Sequence, residues 1–259
     1  MILDVQFNSA TTPWPEMRDA VLAAEAAGYG VAWVVDHVAG QVMGGDSMLE
    51  CCTLVGALAA TTSTIGIGTL VANVWNRPLG VLAAAAATAQ QIAAGRFWLG
   101  VGAGASPTSA YGAEHAALGI ELSDSMAVRQ HRVIEFLELA RTMWTTGQLN
   151  GVSGFPQVTD RIPIVIGVNS LALARIAATA LDGTVDGINV RSNHPRLAAI
   201  IDAAREAQPT GRAPLVITTW ARTSEAIRDP DSEQRADFAR IGIDRLIVVQ
   251  FERPDLMLL

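Results

Sequence analysis

Residues 95–105 read GRFWLGVGAGA, an apolar strand-like run that breaks into alternating glycines, and their interpretation decides the fold. Gly100, Gly102 and Gly104 give the pattern G-x-G-x-G. The dinucleotide-binding turn of a Rossmann fold needs its third glycine three residues after the second. Ala105 stands at that position, which the looser form of the fingerprint accepts. The surrounding sequence therefore has to decide between a Rossmann turn and another use of these glycines.

Short apolar runs alternate with longer segments rich in Ala, Leu and Glu along the chain. Most of the short runs are nearly continuous in apolar residues, as expected for parallel strands that are covered on both faces. Eight strand candidates with helices between them predict an α/β fold, a (β/α)8 TIM barrel in which residues 1–259 form a single domain. The strand candidates are residues 3–8, 31–36, 65–74, 97–103, 162–168, 185–190, 214–221 and 245–251.

The last two units of this barrel are shorter than the others. Only a short helical segment, SEQRADFARIG, fits between the seventh and eighth strand candidates. The eight residues that follow the last candidate, ERPDLMLL, are too few for a closing helix. Because the apolar LMLL would otherwise be exposed, we expect another subunit to cover this part of the barrel.

The barrel interpretation assigns a different role to the glycines of residues 95–105. In such a barrel the active-site groups lie where strands end and the following loops begin. The stretch GVGAGASP follows the fourth strand candidate, and glycines allow the backbone to approach a ligand closely. We therefore interpret the stretch as part of a barrel mouth rather than as a Rossmann turn.

Composition excludes several classes of function. The net charge of −7 argues against nucleic-acid binding, because neutralising phosphates requires a basic surface. All 18 basic residues are arginine. Without lysine the chain cannot be a Schiff-base aldolase, a pyridoxal-phosphate enzyme or a Walker-type nucleotide-binding protein.

The cellular context is predicted from the cysteines and the apolar runs. Cys51 and Cys52 are adjacent, so they cannot form an ordinary structural disulfide, as expected for a protein in a reducing compartment. The first residues, MILDVQFNSATTPW, lack the basic start and long apolar core of a signal peptide. The longest apolar run, around LGVLAAAAA, is too short for a membrane helix. We expect a soluble cytoplasmic protein with no membrane partner.

Asp36 and His37 end the second strand candidate and are the strongest candidates for catalysis. A histidine at the mouth of a barrel exchanges a proton near neutral pH, which suits an acid, a base or a hydrogen-bond donor. The alternative is a capping aspartate followed by a packed histidine. His115 and His194 are weaker candidates for contact with a ligand. The histidines have no metal-ligand spacing, so we expect no metal site.

Polar residues also follow the third strand candidate. Thr69, Asn73, Asn76 and Arg77 lie in the segment IGTLVANVWNRP, near the same barrel mouth. A cluster of amide groups there suits a planar ligand rich in amides. Asn-Arg-Pro is also a suitable start for the next helix, because proline is favoured in the first helical turn. Both interpretations are compatible.

A helix begins directly after the fifth strand candidate. Gly167, Val168, Asn169 and Ser170 would present free backbone N–H groups and the positive end of the helix dipole to an anion. The alternative is that Asn169 or Ser170 only caps the helix. A phosphate site and a capped helix share this geometry, and we favour the phosphate site.

Four stretches, taken together, resemble the bacterial luciferase-like monooxygenase superfamily, which includes oxidoreductases that depend on coenzyme F420. They are EAAGYGVAWVVDH (25–37), TSTIGIGTLVANV (62–74), AAGRFWLGVGAG (93–104) and IPIVIGVNS (162–170) with LDG (181–183). Each stretch alone is only moderately specific. Their order and spacing, which follow the family from residue 1 to about residue 195, carry the resemblance.

The resemblance implies a (β/α)8 barrel, usually a dimer, that binds FMN or F420 across the carboxyl ends of its strands. Members of the superfamily often have a non-proline cis peptide in a bulge of the third strand, against the isoalloxazine ring. That bulge would lie near Gly68, Thr69 and Leu70. Asp36 and His37 take the place of the active-site pair in this comparison.

The resemblance also implies contacts for the rest of the cofactor. Gly167, Val168, Asn169 and Ser170 are similar to the phosphate-binding turn of the superfamily. Asn73, Gly102 and Gly104 would flank the ring or the ribityl chain. Two departures are visible: Val168 stands where the superfamily commonly has a second glycine, and residues 145–161 leave only a short loop where longer members carry a substrate-side insertion.

The expected function is hydride transfer between F420 and a small organic substrate, with His37 polarising or protonating the substrate oxygen and Asp36 orienting His37. Arg77, Arg191 and Arg222 are candidates for binding the acidic tail of F420. The first alternative function is an FMN-dependent monooxygenase supplied by a separate flavin reductase. The second is a shortened flavin-binding barrel without catalysis, and the third is an unrelated barrel that binds a sugar phosphate.

Overall fold

The computed structural model describes residues 1–258, without the side chains of Leu181, Asp182 and Leu258. Eight parallel strands close into a barrel, in which β1 pairs with both β2 and β10. Around the barrel the order is β1-β2-β3-β4-β7-β8-β9-β10, and the predicted TIM barrel is confirmed. The barrel strands are β1 (Ile2–Phe7), β2 (Val31–Val34), β3 (Gly66–Asn73), β4 (Phe97–Gly102), β7 (Ile164–Gly167), β8 (Gly187–Arg191), β9 (Val216–Arg222) and β10 (Arg245–Gln250).

Helices cover the outside of the barrel. They are α1 (Trp14–Ala26), α2 (Cys51–Thr61), α3 (Leu79–Ile92), α4 (Ala113–Ala117), α5 (Met126–Thr146), α6 (Leu171–Thr179), α7 (Leu197–Ala207), α8 (Glu225–Arg228) and α9 (Glu233–Arg240). The segment predicted as a short loop, residues 145–161, contains a small antiparallel hairpin of β5 (Gln148–Leu149) and β6 (Val152–Ser153). None of the helices in residues 1–258 is long and apolar enough to cross a membrane.

The larger core lies between the strands and the outer helices. The alanine run of α3 buries Ala83, Ala86 and Ala87, and such small side chains allow helices to pack closely. This close packing brings Trp144 of α5 next to α3, where its indole N–H donates to the carbonyl oxygen of Ala83 at 2.8 Å. The alanine-rich sequence therefore sets the contact between α3 and α5.

A second core fills the inside of the barrel. It contains Val31, Trp33, Val165 and Ile247, with Leu70, Val249 and other residues above them. Layers of inward-pointing side chains are the usual filling of an eight-stranded barrel. This filling closes the lower part of the barrel, so a ligand can enter only above it.

A buried ion pair lies at the amino-terminal end of the barrel. Asp4 accepts two hydrogen bonds from Arg245, of 2.8 and 2.6 Å, and one of 3.0 Å from the indole N–H of Trp33. Burial raises the pKa of Asp4, although the hydrogen bonds and charge of Arg245 act in the opposite direction. Arg245 is also 4.9 Å from the ring centre of Trp98. These contacts join β1, β2, β4 and β10.

The last units are short, as predicted. The connection from β9 to β10 contains only α8 and α9, of four and eight residues. Within residues 1–258, the segment after β10 forms a 3-10 turn at Leu256–Leu258. Met257 is 88% exposed, but Leu259, the last residue of the LMLL segment, lies outside the described residues.

The β3 bulge lies slightly later in the chain than predicted. The register of β3 against β4 shifts between Thr69 and Ala72, and the peptide bond between Leu70 and Val71 is cis. The expected position, at residues 68–70, is corrected to Leu70 and Val71. The correction is physical: Gly68 and Thr69 keep regular pairing with β4, and the extra residue enters only after Thr69.

The bulge answers the question raised by the glycines of β4. A Cβ atom at Gly100 would collide with the carbonyl oxygen of Thr69, and one at Gly102 would lie 2.5 Å from Val71 Cγ2. Gly104 has a φ of +77°, and a Cβ atom there would lie 2.9 Å from Asn73 Oδ1. The G-x-G-x-G pattern therefore makes room for the bulge of the neighbouring strand.

Candidate active site

A cavity of about 420 Å³ opens at the carboxyl ends of the barrel strands. This volume lies within the range of small-molecule sites, about 300–1,000 Å³. Most of its walls are apolar, with a few polar groups from different strands and loops. Its lining includes Gln6, Asp36, His37, Met43, Leu70, Val71, Asn73, Gly102, Gly104, Tyr111, His115, Gly167, Val168, Asn169, Asn189, Arg191, Trp220, Val249 and Phe251.

His37 lines this cavity and is held by a carboxylate from the short helix α4, in the connection after β4. His37 Nδ1 lies 2.6 Å from Glu114 Oε1, and the Tyr111 ring stacks on the imidazole with ring centres 5.3 Å apart. The His37 side chain is 21% exposed, whereas that of Glu114 is 1% exposed. Because Nδ1 is the bonded nitrogen, Nε2 is the nitrogen available to a bound molecule.

Glu114 is buried as an anion. Its other oxygen, Oε2, accepts the backbone N–H groups of Val38 and Ala39 at 2.8 and 2.9 Å. Burial acts to raise the pKa of Glu114, but the hydrogen bonds from His37, Ala39 and Val38 outweigh it and lower that pKa below its ordinary value. An ionised Glu114 can only accept, so the proton on the shared hydrogen bond belongs to His37 Nδ1.

Asp36 has a different role from the one expected. Its carboxylate accepts two hydrogen bonds of 2.8 Å from Arg77 and a third from the backbone N–H of Asn73. The expectation that Asp36 orients His37 is corrected, because Glu114 occupies that position. Asp36 instead fixes the start of the β3–α3 connection, together with Asn76, whose side chain donates to the Asp36 carbonyl oxygen at 3.0 Å.

The guanidinium of Arg77 forms ion pairs with two acidic side chains. Besides Asp36 it binds Glu50 Oε1 at 3.0 Å, and Glu50 caps α2 by accepting the N–H groups of Cys52 and Thr53. Burial opposes the charge of Arg77, but the hydrogen bonds and charge of Asp36 raise its pKa above the ordinary value. Arg77 is therefore not free to bind the acidic tail of a cofactor, which corrects the expectation from the sequence.

His115 is buried beside the cavity and fixes Asn73. Its Nε2 lies 2.9 Å from Asn73 Nδ2 and 2.7 Å from Asn76 Oδ1. Asn73 Oδ1 accepts the backbone N–H of Trp75 at 3.0 Å, which sets the orientation of the amide. The connection after β4 thus contacts both β2 and β3 through two consecutive residues, Glu114 and His115.

The turn after β7 lies on the far side of the cavity. Gly167, Val168 and Asn169 line the cavity, but the backbone N–H of Val168 donates to the Asn189 carbonyl oxygen at 2.8 Å and is not free for an anion. The Ser170 hydroxyl caps α6 by accepting the N–H of Leu173 at 3.3 Å and is not among the lining groups. The capping interpretation is therefore confirmed for Ser170, and the phosphate site stays a prediction.

Two predicted residues of β3 do not reach the cavity. The Thr69 hydroxyl donates to the Gly100 carbonyl oxygen at 2.7 Å, and a Cβ atom at Gly68 would lie 2.7 Å from the Trp33 ring. Both belong to the packing below the bulge, whereas Leu70 and Val71 line the cavity above it. The remaining predicted positions, Asp36, His37, Asn73, Gly102 and Gly104, are at the cavity.

Comparison with known proteins identifies the family. The model described as luciferase-like monooxygenase matches residues 3–254. The chain belongs to this family. Relatives that resemble this chain include a protein named a monooxygenase and proteins named F420-dependent dehydrogenases.

Two curated relatives illustrate the range of luciferase-like proteins. The pyrimidine monooxygenase RutA of Allorhizobium ampelinum is 31% identical over 159 residues, which are 59% of this chain and 41% of the relative. An F420-dependent glucose-6-phosphate dehydrogenase of Segniliparus rotundus is 27% identical over 180 residues, which are 66% of this chain and 52% of the relative. The chain thus matches about half the length of these relatives.

Solved structures of luciferase-like proteins share the fold. An F420-dependent secondary alcohol dehydrogenase in complex with an F420–acetone adduct superposes with a TM-score of 0.75 at 18% identity. The likeness covers 99% of this chain and 96% of the dehydrogenase chain. This likeness shows that the two proteins share the barrel fold.

Several residues in or next to the cavity are not identified by any sequence motif. No motif singles out Glu114, and the sequence makes His115 only a weaker candidate. Both lie in the connection after β4, at the barrel mouth where functional groups concentrate, and this position is the available signal. Gln6 lies near the end of β1, Asn189 lies in the middle of β8 and Phe251 directly follows β10, and no motif singles out any of them.

No group of three or more His, Cys, Asp or Glu side chains within residues 1–258 has the arrangement of a metal site. Cys51 is buried, and burial together with the nearby charge of Asp36 raises the pKa of its thiol. A thiol with a raised pKa is a poor nucleophile and metal ligand at neutral pH. The candidate chemistry therefore rests on His37 and the cavity around it.

Proposed function

We propose that this protein is an oxidoreductase that transfers a hydride between coenzyme F420 and a small organic substrate. The observation that carries the proposal is the His37–Glu114 pair at the wall of the cavity, 2.6 Å apart. A cavity-lining imidazole whose second nitrogen is bonded to a buried carboxylate is a suitable proton-transfer group. Hydride transfer to or from an oxygen-bearing carbon requires such a group.

The cavity fits the ring system of a deazaflavin or flavin. Leu70 and Val71 present an apolar surface, and the glycines at 102 and 167 leave the space around Val71 without further side chains. Gly167, Val168 and Asn169 lie where a helix begins, which suits a phosphate group. Asn73 and Gly104 would flank the ring. When bound there, the cofactor supplies the hydride chemistry.

The protein would supply orientation and proton transfer. Glu114 keeps the proton on His37 Nδ1, which leaves a lone pair on Nε2. Nε2 accepts the hydroxyl proton of an alcohol substrate, and in the reverse direction it returns the proton to a carbonyl oxygen. Tyr111 restricts rotation of the imidazole by stacking on it. Asp36 acts indirectly, because it holds the backbone of Asn73.

An FMN-dependent monooxygenase supplied by a separate reductase is the second candidate. The relative of 31% identity is named a monooxygenase, which favours this alternative. Both candidates use the same platform of Leu70 and Val71, so the choice depends on which cofactor binds. In either case we propose a cytoplasmic homodimer, to be tested by sedimentation.

The test is a fluorescence titration of the purified protein with F420 and, separately, with FMN. Micromolar or tighter binding of F420 alone supports the dehydrogenase, and preference for FMN supports the monooxygenase. His37→Gln should lower turnover by about 10²–10⁴-fold and change cofactor affinity only a few-fold. Binding of neither cofactor would overturn both candidates and favour a non-catalytic barrel.

A further inference from the structure

We infer that the substrate half of the cavity selects uncharged, largely apolar alcohols or carbonyl compounds and discriminates against phosphorylated or carboxylated ones. The inference deepens the proposed function and rests on it. It follows from the distribution of charge and apolar surface around the barrel mouth.

Opposite sides of the cavity have different chemistry. His37 follows β2, and Arg191 ends β8. In the order β1-β2-β3-β4-β7-β8-β9-β10, β8 is the fourth strand from β2 in both directions, so the two residues lie on opposite sides of the mouth. The turn suited to the cofactor phosphate, residues 167–169, belongs to β7, next to Arg191. The substrate side is therefore the wall formed by β10, β1 and β2.

Most of this wall is apolar. Besides the polar residues His37, Asp36 and Gln6 it consists of Val35, Met43, Val249 and Phe251. The side chain of Asn8 donates to the carbonyl oxygens of Met43 and Phe251 at 2.9 and 2.8 Å, which fixes the two loops side by side. Methionine and aromatic side chains bind apolar groups and adapt to their shape.

The charge behind this wall is negative. Glu114 is ionised and directly contacts His37. Nearby, the two carboxylates of Asp36 and Glu50 are matched by the single guanidinium of Arg77. An ionised phosphate or carboxylate on the substrate would meet this excess of negative charge, and like charges brought together without water oppose binding.

On this side no arginine of the described residues lines the cavity, although the guanidinium of Arg222 lies 4.0 Å from the ring centre of Phe251 outside the lining. Among the described residues that line the cavity, the only arginine is Arg191, on the opposite wall, and the sequence contains no lysine. Phosphate groups in proteins are generally bound by arginine, lysine or helix amino termini. The substrate class therefore differs from that of the relative named a glucose-6-phosphate dehydrogenase.

The experiment compares binding of matched ketones to the protein saturated with the cofactor that it binds. Acetophenone and 4-acetylbenzoate share one skeleton and differ by a carboxylate, and calorimetry reports their affinities independently of turnover. We expect acetophenone to bind about 10- to 100-fold more tightly. Equal or tighter binding of the benzoate would overturn the inference, as would binding of neither ketone.

A charge-inserting variant tests the location of the selectivity. Met43→Arg places a cation in the apolar wall and should tighten binding of 4-acetylbenzoate by about tenfold relative to acetophenone. Val81→Arg is the matched control, because Val81 is 55% exposed and does not line the cavity. Equal effects of the two variants would overturn the inference.

The two proposals fail in different ways. Failure of the proposed function appears as absence of F420 and FMN binding in the titration. Failure of the substrate inference appears in a protein that binds its cofactor but prefers the anionic ketone. The order of the two measurements therefore separates the outcomes.

Discussion

Val71 occupies the space that a side chain at Gly102 would need, because a Cβ atom at Gly102 would lie only 2.5 Å from Val71 Cγ2. A Cβ atom added at Gly167 would lie 3.1 Å from Val71 Cγ1. The bulge of β3 is thus enclosed by glycines from the strands β4 and β7. Side chains at these positions would force Val71 toward the cavity.

Gly102→Ala should reduce both stability and cofactor binding. The added methyl group overpacks the bulge, which costs about 1–3 kcal/mol, and it displaces a residue of the proposed cofactor platform. Denaturant titration and F420 or FMN titration measure the two effects. Gly56→Ala is the control, because Gly56 lies in α2 with open space around it and should gain about 0.5–1 kcal/mol. Equal behaviour of the two variants would contradict the packing argument.

Glu114→Gln should move the proton of His37 from one ring nitrogen to the other. The backbone N–H groups of Val38 and Ala39 select the amide oxygen, so the NH₂ group faces Nδ1 and forces it to accept. We expect kcat to fall by about 10²–10⁴-fold, because Nε2 then carries the proton. Nitrogen NMR of His37 checks the tautomer. Glu121→Gln, at an exposed position between α4 and α5, should leave kcat and the tautomer of His37 unchanged.

The pH dependence of the Glu114 contact has a defined sign. The pKa of Glu114 is lowered in the folded state. The stabilisation from its hydrogen bonds is therefore present above pH 4.5, the ordinary pKa, and is lost as the pH falls through the folded-state pKa. Wild type should therefore lose more unfolding free energy on acidification than Glu114→Gln. A steeper acid loss in the variant would contradict this assignment.

The Asp36–Arg77 pair should be strongly coupled. Removing one partner, by Arg77→Met, leaves Asp36 buried without its counter-charge and should cost about 3–5 kcal/mol. The double variant with Asp36→Asn should recover part of that loss in a double-mutant cycle of denaturant unfolding. Arg18→Met, which removes the exposed pair with Asp19, should cost about 0–1 kcal/mol. Additive single effects at 36 and 77 would refute the coupling.

Glu25 should control part of the acid stability. Burial opposes its ionisation, but the hydrogen bonds from the backbone N–H groups of Thr64, Ile65 and Ser63 together outweigh it and lower the pKa of Glu25 from 4.5 to about 2. Its contribution is complete above pH 4.5 and disappears as pH falls toward about 2. Glu25→Gln should flatten the unfolding free energy in that window, whereas Glu206→Gln, at an exposed site, should not. If the free energy of unfolding has the same pH dependence in wild type and Glu25→Gln, Glu25 does not have this role.

The fold was predictable because its strands carry local signals. Continuous apolar runs, such as residues 162–168 and 245–251, located the barrel strands β7 and β10 to within about two residues. The sequence places the bulge too early, because the register of β3 depends on its pairing with β4, which no local pattern of β3 expresses. The positions of the strands are therefore encoded in local sequence patterns, whereas their register depends on pairing between strands.

The candidate site was only partly predictable for a similar reason. Residues next to strand ends, such as His37 and Gly167, carry their position in the sequence. The partner of His37 is 77 residues away, in a short helix that no periodicity marks. Asp36, adjacent to His37, was the natural choice, but neighbouring residues at a strand end point in different directions. Sequence adjacency therefore selected the wrong carboxylate.

The pairing of β1 with β10 has a consequence for biosynthesis. These strands share six paired positions, from Ile2 with Arg245 to Phe7 with Gln250, so the first strand to be translated receives its partner last. Until residue 250 has left the ribosome, β1 and β9 both present unpaired edges, which are prone to associate with other chains. Ring closure must therefore wait until β10 has been translated, and both edges remain open to other chains until then.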